Sequence, residues 1–129
     1  MRSLVIIFIV AACSKDEGSS AMSAGGSGAR DALLAAWKQG GLTVSAMSPA
    51  TVAAGKDCQT GTVNDIDVLV CVYASPAEAK SAENPGLAWV GETTGFSLAR
   101  GAVLIAAADR RKRDPSGRTL NQLTKLAPK

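Results

Sequence analysis

Apolar positions along the chain fall into runs with different spacings, and each spacing predicts a different element. Leu33, Leu34 and Trp37 recur at helical intervals, and Gly40-Gly41 supplies a stop, so a helix is predicted over 30–39. Leu42-Thr43-Val44 reads as a strand entry, while Ser48 to Lys56, with Pro49 and Gly55, reads as a loop or a short irregular element. Two β-rich runs, Cys58 to Val63 and Ile66 to Cys71, flank Asn64-Asp65, two residues that tolerate positive φ in a hairpin turn. With that turn, facing residue numbers sum to 129 and Cys58 stands opposite Cys71. The alternation of pair types makes this a narrow, non-hydrogen-bonded pair, with Cα atoms about 4.5 Å apart and within reach of a disulfide. A bulge at Gly61 is the alternative and shifts the register by one residue.

Further along, Ser75-Pro76-Ala77-Glu78 is a capping box with proline at the first helical position. It predicts a helix to about Glu83, ended by Asn84-Pro85-Gly86. Thr94 to Ala99 and Ala102 to Ala108 are β-rich and joined at Arg100-Gly101, a second hairpin candidate. The continuous apolar Val103-Leu104-Ile105-Ala106 predicts a central strand. Asp114-Pro115 then caps a last helix with Leu120, Leu123 and Leu126 in one stripe. The order α-β-β-α-β-β-α predicts a small two-layer α+β domain over residues 30–127, with an antiparallel sheet of about four strands and helices on one face.

The first residues carry a different pattern. Met1-Arg2-Ser3 is a short basic start, followed by an apolar run from Leu4 to Ala12. Nine such residues span about 14 Å as a helix, half of a bilayer core, which fits an export signal rather than a membrane span. The run ends in Val10-Ala11-Ala12-Cys13, an aliphatic residue and two small ones directly before a cysteine. This resembles the lipobox of bacterial lipoproteins, with Val10 in place of the commoner leucine. The resemblance covers residues 1–13 alone. It implies removal of residues 1–12, a diacylglycerol thioether on the Cys13 sulfur and an acyl group, such as palmitate, on its nitrogen. Several acyl chains, at about 0.8 kcal/mol per buried methylene, hold a protein on a membrane almost irreversibly. Ser14 rather than aspartate follows the cysteine, which in a Gram-negative host implies the outer membrane, facing the periplasm.

The chain has three cysteines. With Cys13 taken by lipid, Cys58 and Cys71 remain as a pair, and an exported chain meets an oxidising compartment in which a disulfide is the default. Residues 14–29, rich in Ser, Gly and Ala and without apolar periodicity, read as a flexible tether with a mean reach of about 22 Å.

Composition narrows the function classes. There is no histidine, which removes Ser-His-Asp and Cys-His nucleophile systems, histidine metal ligation and a histidine pH switch. Aromatics are 4% of residues, too few to build a stacking platform for single-stranded nucleic acid. Gly95-Phe96-Ser97-Leu98-Ala99 faintly resembles a serine-nucleophile pentapeptide, but Ser97 falls within a predicted strand without a base to activate it. Ala50 to Asp57 matches a phosphate loop only at Gly55-Lys56, and Asp57 stands where a hydroxyl is needed. Asp57, Asp65 and Asp67 lack the glycine and distal glutamate of a calcium loop. No cofactor and no metal is implied, and Cys58 and Cys71 lack the C-x-x-C spacing of a redox pair.

One charged feature stands out. Arg110-Arg111-Lys112-Arg113, with Arg118, falls between the last strand and the last helix, predicting an exposed basic loop at one end of the sheet. Phosphates of lipid headgroups or an acidic protein are the partners such a loop suits, against the plainer reading of a solvated loop diluted by Asp109 and Asp114. The sequence thus predicts a lipid-anchored, non-enzymatic binding or adaptor module of the bacterial cell envelope. A small-ligand or anionic-lipid binding module built on the basic loop is the alternative, and an enzyme a distant third.

Overall fold

The computed structural model describes residues 26–128. The predicted leader, Cys13 and the tether up to residue 25 lie outside the described residues. Helix α1 (Gly26–Gln39) opens earlier than the predicted residue 30 and buries Leu33 and Trp37. It ends as Gly40-Gly41 predicts. The Leu42 amide donates to the Trp37 carbonyl at 3.0 Å, the Gly41 amide to Lys38 at 3.0 Å, and Gly41 takes φ +95°. This is a Schellman closure, in which the left-handed position disfavours any side chain.

Five strands follow: β1 (Ser48–Val52), β2 (Gly55–Val63), β3 (Ile66–Val72), β4 (Gly95–Arg100) and β5 (Val103–Ala108). They form one antiparallel sheet in the order β1-β2-β3-β5-β4. The β2–β3 hairpin keeps the register deduced from its turn, from Val63 opposite Ile66 to Cys58 opposite Cys71, with no bulge at Gly61. Asn64 and Asp65 take φ of 51° and 69°, the conformation a two-residue hairpin turn demands. Cys58 and Cys71 are joined by a disulfide with Cα atoms 4.0 Å apart.

The α+β class and the antiparallel sheet hold, while the details change in three places. The sheet has five strands rather than about four, because Ser48 to Val52 pairs with β2 as an edge strand. Its largely exposed side chains leave no hydrophobic alternation to read, and an edge position tolerates Pro49. Leu42-Thr43-Val44 contributes only an isolated bridge, Val44 to Val63.

Second, Asn84-Pro85-Gly86 does not end the helical excursion. Helix α2 (Pro76–Ser81), capped by the Ser75 hydroxyl accepting from the Glu78 amide at 3.2 Å, is followed by helix α3 (Glu83–Val90). Pro85 sits in the first turn of α3, where a missing amide costs no intrahelical bond. Gly86 lets α3 approach the sheet, since a Cβ there would run into the Ser97 hydroxyl and the Leu104 side chain.

Third, helices cover both faces of the sheet, not one. Helix α1 and helix α4 (Arg118–Leu126) cover the face bearing Val63, Val68, Val70, Val103, Ile105 and Ala107, with Trp37 and Leu123 fully buried between them. The Trp37 indole donates to the Leu123 carbonyl at 3.0 Å. Helices α2 and α3 cover the opposite face, where Cys58, Leu69, Cys71, Leu104, Ala106 and Ala108 lie. All six residues of β5 are buried, as a continuous apolar strand requires when both its faces are packed. The β4–β5 turn falls on Gly101-Ala102 rather than Arg100-Gly101, with Arg100 opposite Val103.

The topology gives the domain two ends. At one end Arg30 of α1 is bound to Asp57 near the start of β2, and Ala29 and Ala32 lie beside Gly101 and Val103 around a hollow of about 190 Å³. At the other end are the Asn64-Asp65 turn and the segment that leaves β5. The six residues of β5 separate the two ends by about 20 Å.

Candidate functional site

The basic segment is a shaped loop rather than a slack one, and two buried carboxylates shape it. Strand β5 delivers Asp109 to the end of the sheet, where its amide donates to the Thr94 carbonyl at 2.8 Å. The Asp109 carboxylate, 6% exposed, accepts from the Arg113 and Asp114 amides at 2.8 and 2.9 Å. Asp114 is equally buried and accepts from the Thr119 and Leu120 amides at 3.1 and 2.9 Å. It therefore caps α4 from a distance, while Gly117, without a side chain, occupies the N-cap position itself. Each buried acceptor satisfies two amides that would otherwise go unpaired. Between the two carboxylates the chain turns through Lys112 at φ +56°.

The five basic residues singled out by sequence divide into two sets. Asp67, at the start of β3 opposite Ala108, holds the first. Its two oxygens accept from Arg110 at 3.1 Å and from Arg111 at 2.7 Å. Arg111 also donates to the Asp65 carbonyl at 3.0 Å, and Arg110 to the Trp89 carbonyl at 2.6 Å. The Arg110 guanidinium lies 4.4 Å from the centroid of the Trp89 ring, a cation–π contact. The hydrogen bond and charge of Asp67 push the Arg111 pKa further up. These two arginines are fastened to the domain.

Lys112, Arg113 and Arg118 form the second set. All three are exposed, and none of them pairs with a carboxylate among the described residues. The loop and the segment before β4 line a hollow of about 710 Å³ with Thr93, Thr94, Arg110, Lys112, Ser116 and Gly117, so Lys112 is the one member of the second set on its wall. Glu92, Asp109 and Asp114 also contribute to its wall. The arrangement offers side-chain cations and hydroxyls, groups chemically able to bind an anion.

Other residues weighed from the sequence have structural roles. The Ser97 hydroxyl donates to the Glu83 carbonyl at 2.7 Å, tying β4 to the start of α3. The Glu83 carboxylate accepts from the Ala99 amide on the same strand at 2.8 Å, and this bond lowers its pKa. Gly55-Lys56 begins a strand, and Asp57 accepts from Arg30 at 2.7 Å. Among the described residues no group of three His, Cys, Asp or Glu is placed to hold a metal ion. Cys58 and Cys71 are buried beneath α2 and α3. Cys13 lies outside the described residues. The Tyr73 hydroxyl donates to the Ala54 carbonyl at 2.5 Å, and burial raises its pKa.

Sequence reasoning found the basic cluster but missed what divides it. Asp67 reads locally as one more aspartate near a turn, and Trp89 as an ordinary apolar position. Only the β3–β5 pairing brings Asp67, 43 and 44 residues away in sequence, under Arg110 and Arg111. No described helix is long and apolar enough to cross a membrane. The sequence matches no known protein-family model, and neither the curated proteins nor the solved structures give a match.

Proposed function

We propose that this protein is a lipid-anchored lipoprotein of the bacterial cell envelope whose domain acts as a non-enzymatic binding or adaptor module. The partition of the cysteines carries this reading. Cys58 and Cys71 are spent on a buried disulfide, which leaves Cys13 as the one remaining thiol of the three. That thiol directly follows Val10-Ala11-Ala12, where a lipoprotein carries its lipid. The disulfide also suits an oxidising compartment outside the cytoplasm. The absence of histidine from the whole sequence supports a binding role over acid–base or nucleophilic catalysis.

Metabolic labelling with a palmitate analogue, followed by fractionation, tests the anchor. The natural chain is expected to carry label and follow the membrane, and Cys13→Ser to lose the label and accumulate as precursor. A Cys13→Ser chain that still fractionates with membrane as a processed protein would count against lipidation. The adaptor role predicts that the tagged protein, cross-linked in its own envelope, returns one envelope partner in near-stoichiometric amount. Recovery of bulk lipoproteins alone would count against it.

The alternative, an anionic-lipid or small-ligand module on residues 110–113, is weakened for Arg110 and Arg111, which already share the Asp67 carboxylate and bond to the Trp89 and Asp65 carbonyls. What remains for recognition is Lys112 and Arg113 with Arg118.

A further inference from the structure

Resting on the reading of the domain as a binding module, we infer that Trp89, with the hydroxyls of Ser48, Thr60 and Thr62, forms a binding site for a neutral saccharide. The site follows from how the sheet is covered. Helices α2 and α3 pack chiefly against β4 and β5, and their cover thins toward β1 and the far end of β2. Thr60 and Thr62 follow Cys58 on that same face by strand alternation, with Ser48 opposite Thr60 and Asp67 opposite Thr62. Trp89, in the last turn of α3, stands at the edge of the cover. Together these side chains line a hollow of about 450 Å³, within the range of about 300–1,000 Å³ usual for small-molecule sites.

The polar groups of this hollow are unspent. Among the described residues, the three hydroxyls and the Trp89 indole N–H make no hydrogen bond, whereas the Thr62 amide and the Trp89 carbonyl are engaged. A hydroxyl both donates and accepts, and the indole N–H donates, so the wall suits a ligand whose own groups do both. Asp67 is the one charged residue on the wall, and its two oxygens already accept from Arg110 and Arg111. A cationic ligand would compete with those arginines, and an anionic one would meet the carboxylate with no cation on the wall to offset it. A neutral polyol meets neither cost, and each carboxylate oxygen keeps a second acceptor position for a ligand hydroxyl.

The indole supplies the apolar half of the match. A pyranose carries C–H groups on its ring faces and hydroxyls around its rim, so it needs an apolar surface next to hydroxyl partners. Trp89 beside Thr60 and Thr62 is that combination. The ring is also held ready. Arg110 lies 4.4 Å from its centroid, donates to the Trp89 carbonyl at 2.6 Å and is tied to Asp67, yet it is not on the wall of this hollow. The arginine therefore braces the indole from outside and leaves the rest of the ring to the hollow, so little side-chain freedom is lost on binding. An extended peptide is the poorer match, because its amides seek a strand edge and these hydroxyls stand on the face of paired strands.

The chain has two tryptophans, and Trp37 is fully buried between α1 and α4, so a ligand-dependent change in fluorescence reports Trp89. The full-length protein, reconstituted in phosphatidylcholine vesicles, is titrated with cellotriose, maltotriose and chitotriose, and with a hexapeptide of alternating serine and glycine as the competing class. At least one trisaccharide should give a saturable change. Thr60→Val with Thr62→Val, which keeps side-chain volume and strand propensity, should weaken that binding about tenfold. Thr43→Val with Thr51→Val, at two exposed threonines outside the hollow, should stay within about twofold of the natural chain. Trp89→Ala should abolish binding, read by calorimetry, and where that variant fails to fold the threonine pair decides. No response to any of the three sugars, an equal loss in the Thr43 and Thr51 control, or an equal response to the hexapeptide would each overturn the inference. Cross-linking of the natural chain separates the two claims, since a protein that recovers an envelope partner but ignores all three sugars loses only this site.

Discussion

The β2–β3 hairpin and the loop between β5 and α4 meet at one end of the domain, yet different forces hold them. The hairpin is held along its own length by strand pairing, by Asn64 and Asp65 in a tight turn, and by the Cys58–Cys71 bridge. The loop has no strand partner and no bridge. It is held by buried Asp109 and Asp114, and by Arg110 and Arg111 reaching back to Asp67 on the hairpin. Local pairing builds the frame, and side-chain anchoring shapes the surface that the frame presents.

The sharpest way to break this contrast is to remove the covalent part of the hairpin. Replacing Cys58 and Cys71 together by alanine should cost about 2–3 kcal/mol in urea unfolding, from the loop-closure entropy the bridge removes. Asp109→Ala comes next. It strands the Arg113 and Asp114 amides, and a loss of about 2 kcal/mol is expected, with faster hydrogen exchange confined to residues 109–117. If exchange accelerates equally in the hairpin, the two regions are not independently held.

Asp67→Asn should cost less than about 1 kcal/mol, because its ion pairs are part-exposed and screened. It should nonetheless remove both carboxylate ion pairs of Arg110 and Arg111, read as a weaker dependence of urea stability on salt. The smallest effect falls outside both regions. Glu83 has a carboxyl pKa lowered by the Ala99 amide, with Lys80 adding to the shift. A carboxylate depressed in the folded state stabilises above its unfolded pKa, and that contribution is lost as pH falls through the folded value. Glu83→Gln should therefore flatten the acid side of the stability profile below about pH 4.5 and leave neutral pH nearly unchanged. An unaltered acid side would show that the Ala99 bond carries no net stability.

The same contrast explains what was legible in the sequence. The hairpin register, the Gly40-Gly41 stop and the Ser75 cap depend on residues a few positions apart, and all three follow from local chemistry. Strand β1 was illegible because an edge strand with exposed side chains has no apolar alternation. The unbroken apolar run of β5 held the clue that both faces are covered, since a solvated face would have shown polar residues at every second position. In the candidate site, the cations were visible as a run of letters. Their division into fastened and free depends on Asp67, Trp89, Asp109 and Asp114, and the Asp67 and Trp89 contacts arise only once distant strands and α3 are packed together.

Mass spectrometry of the intact protein, purified from its membrane without reducing agent, tests the anchor and the bridge in one spectrum. The expected mass is that of a chain beginning at Cys13, increased by diacylglycerol and acyl groups and reduced by the two hydrogens of the Cys58–Cys71 disulfide. An unmodified chain that keeps residues 1–12, or one cleaved elsewhere with Cys13 free, would contradict the assignment.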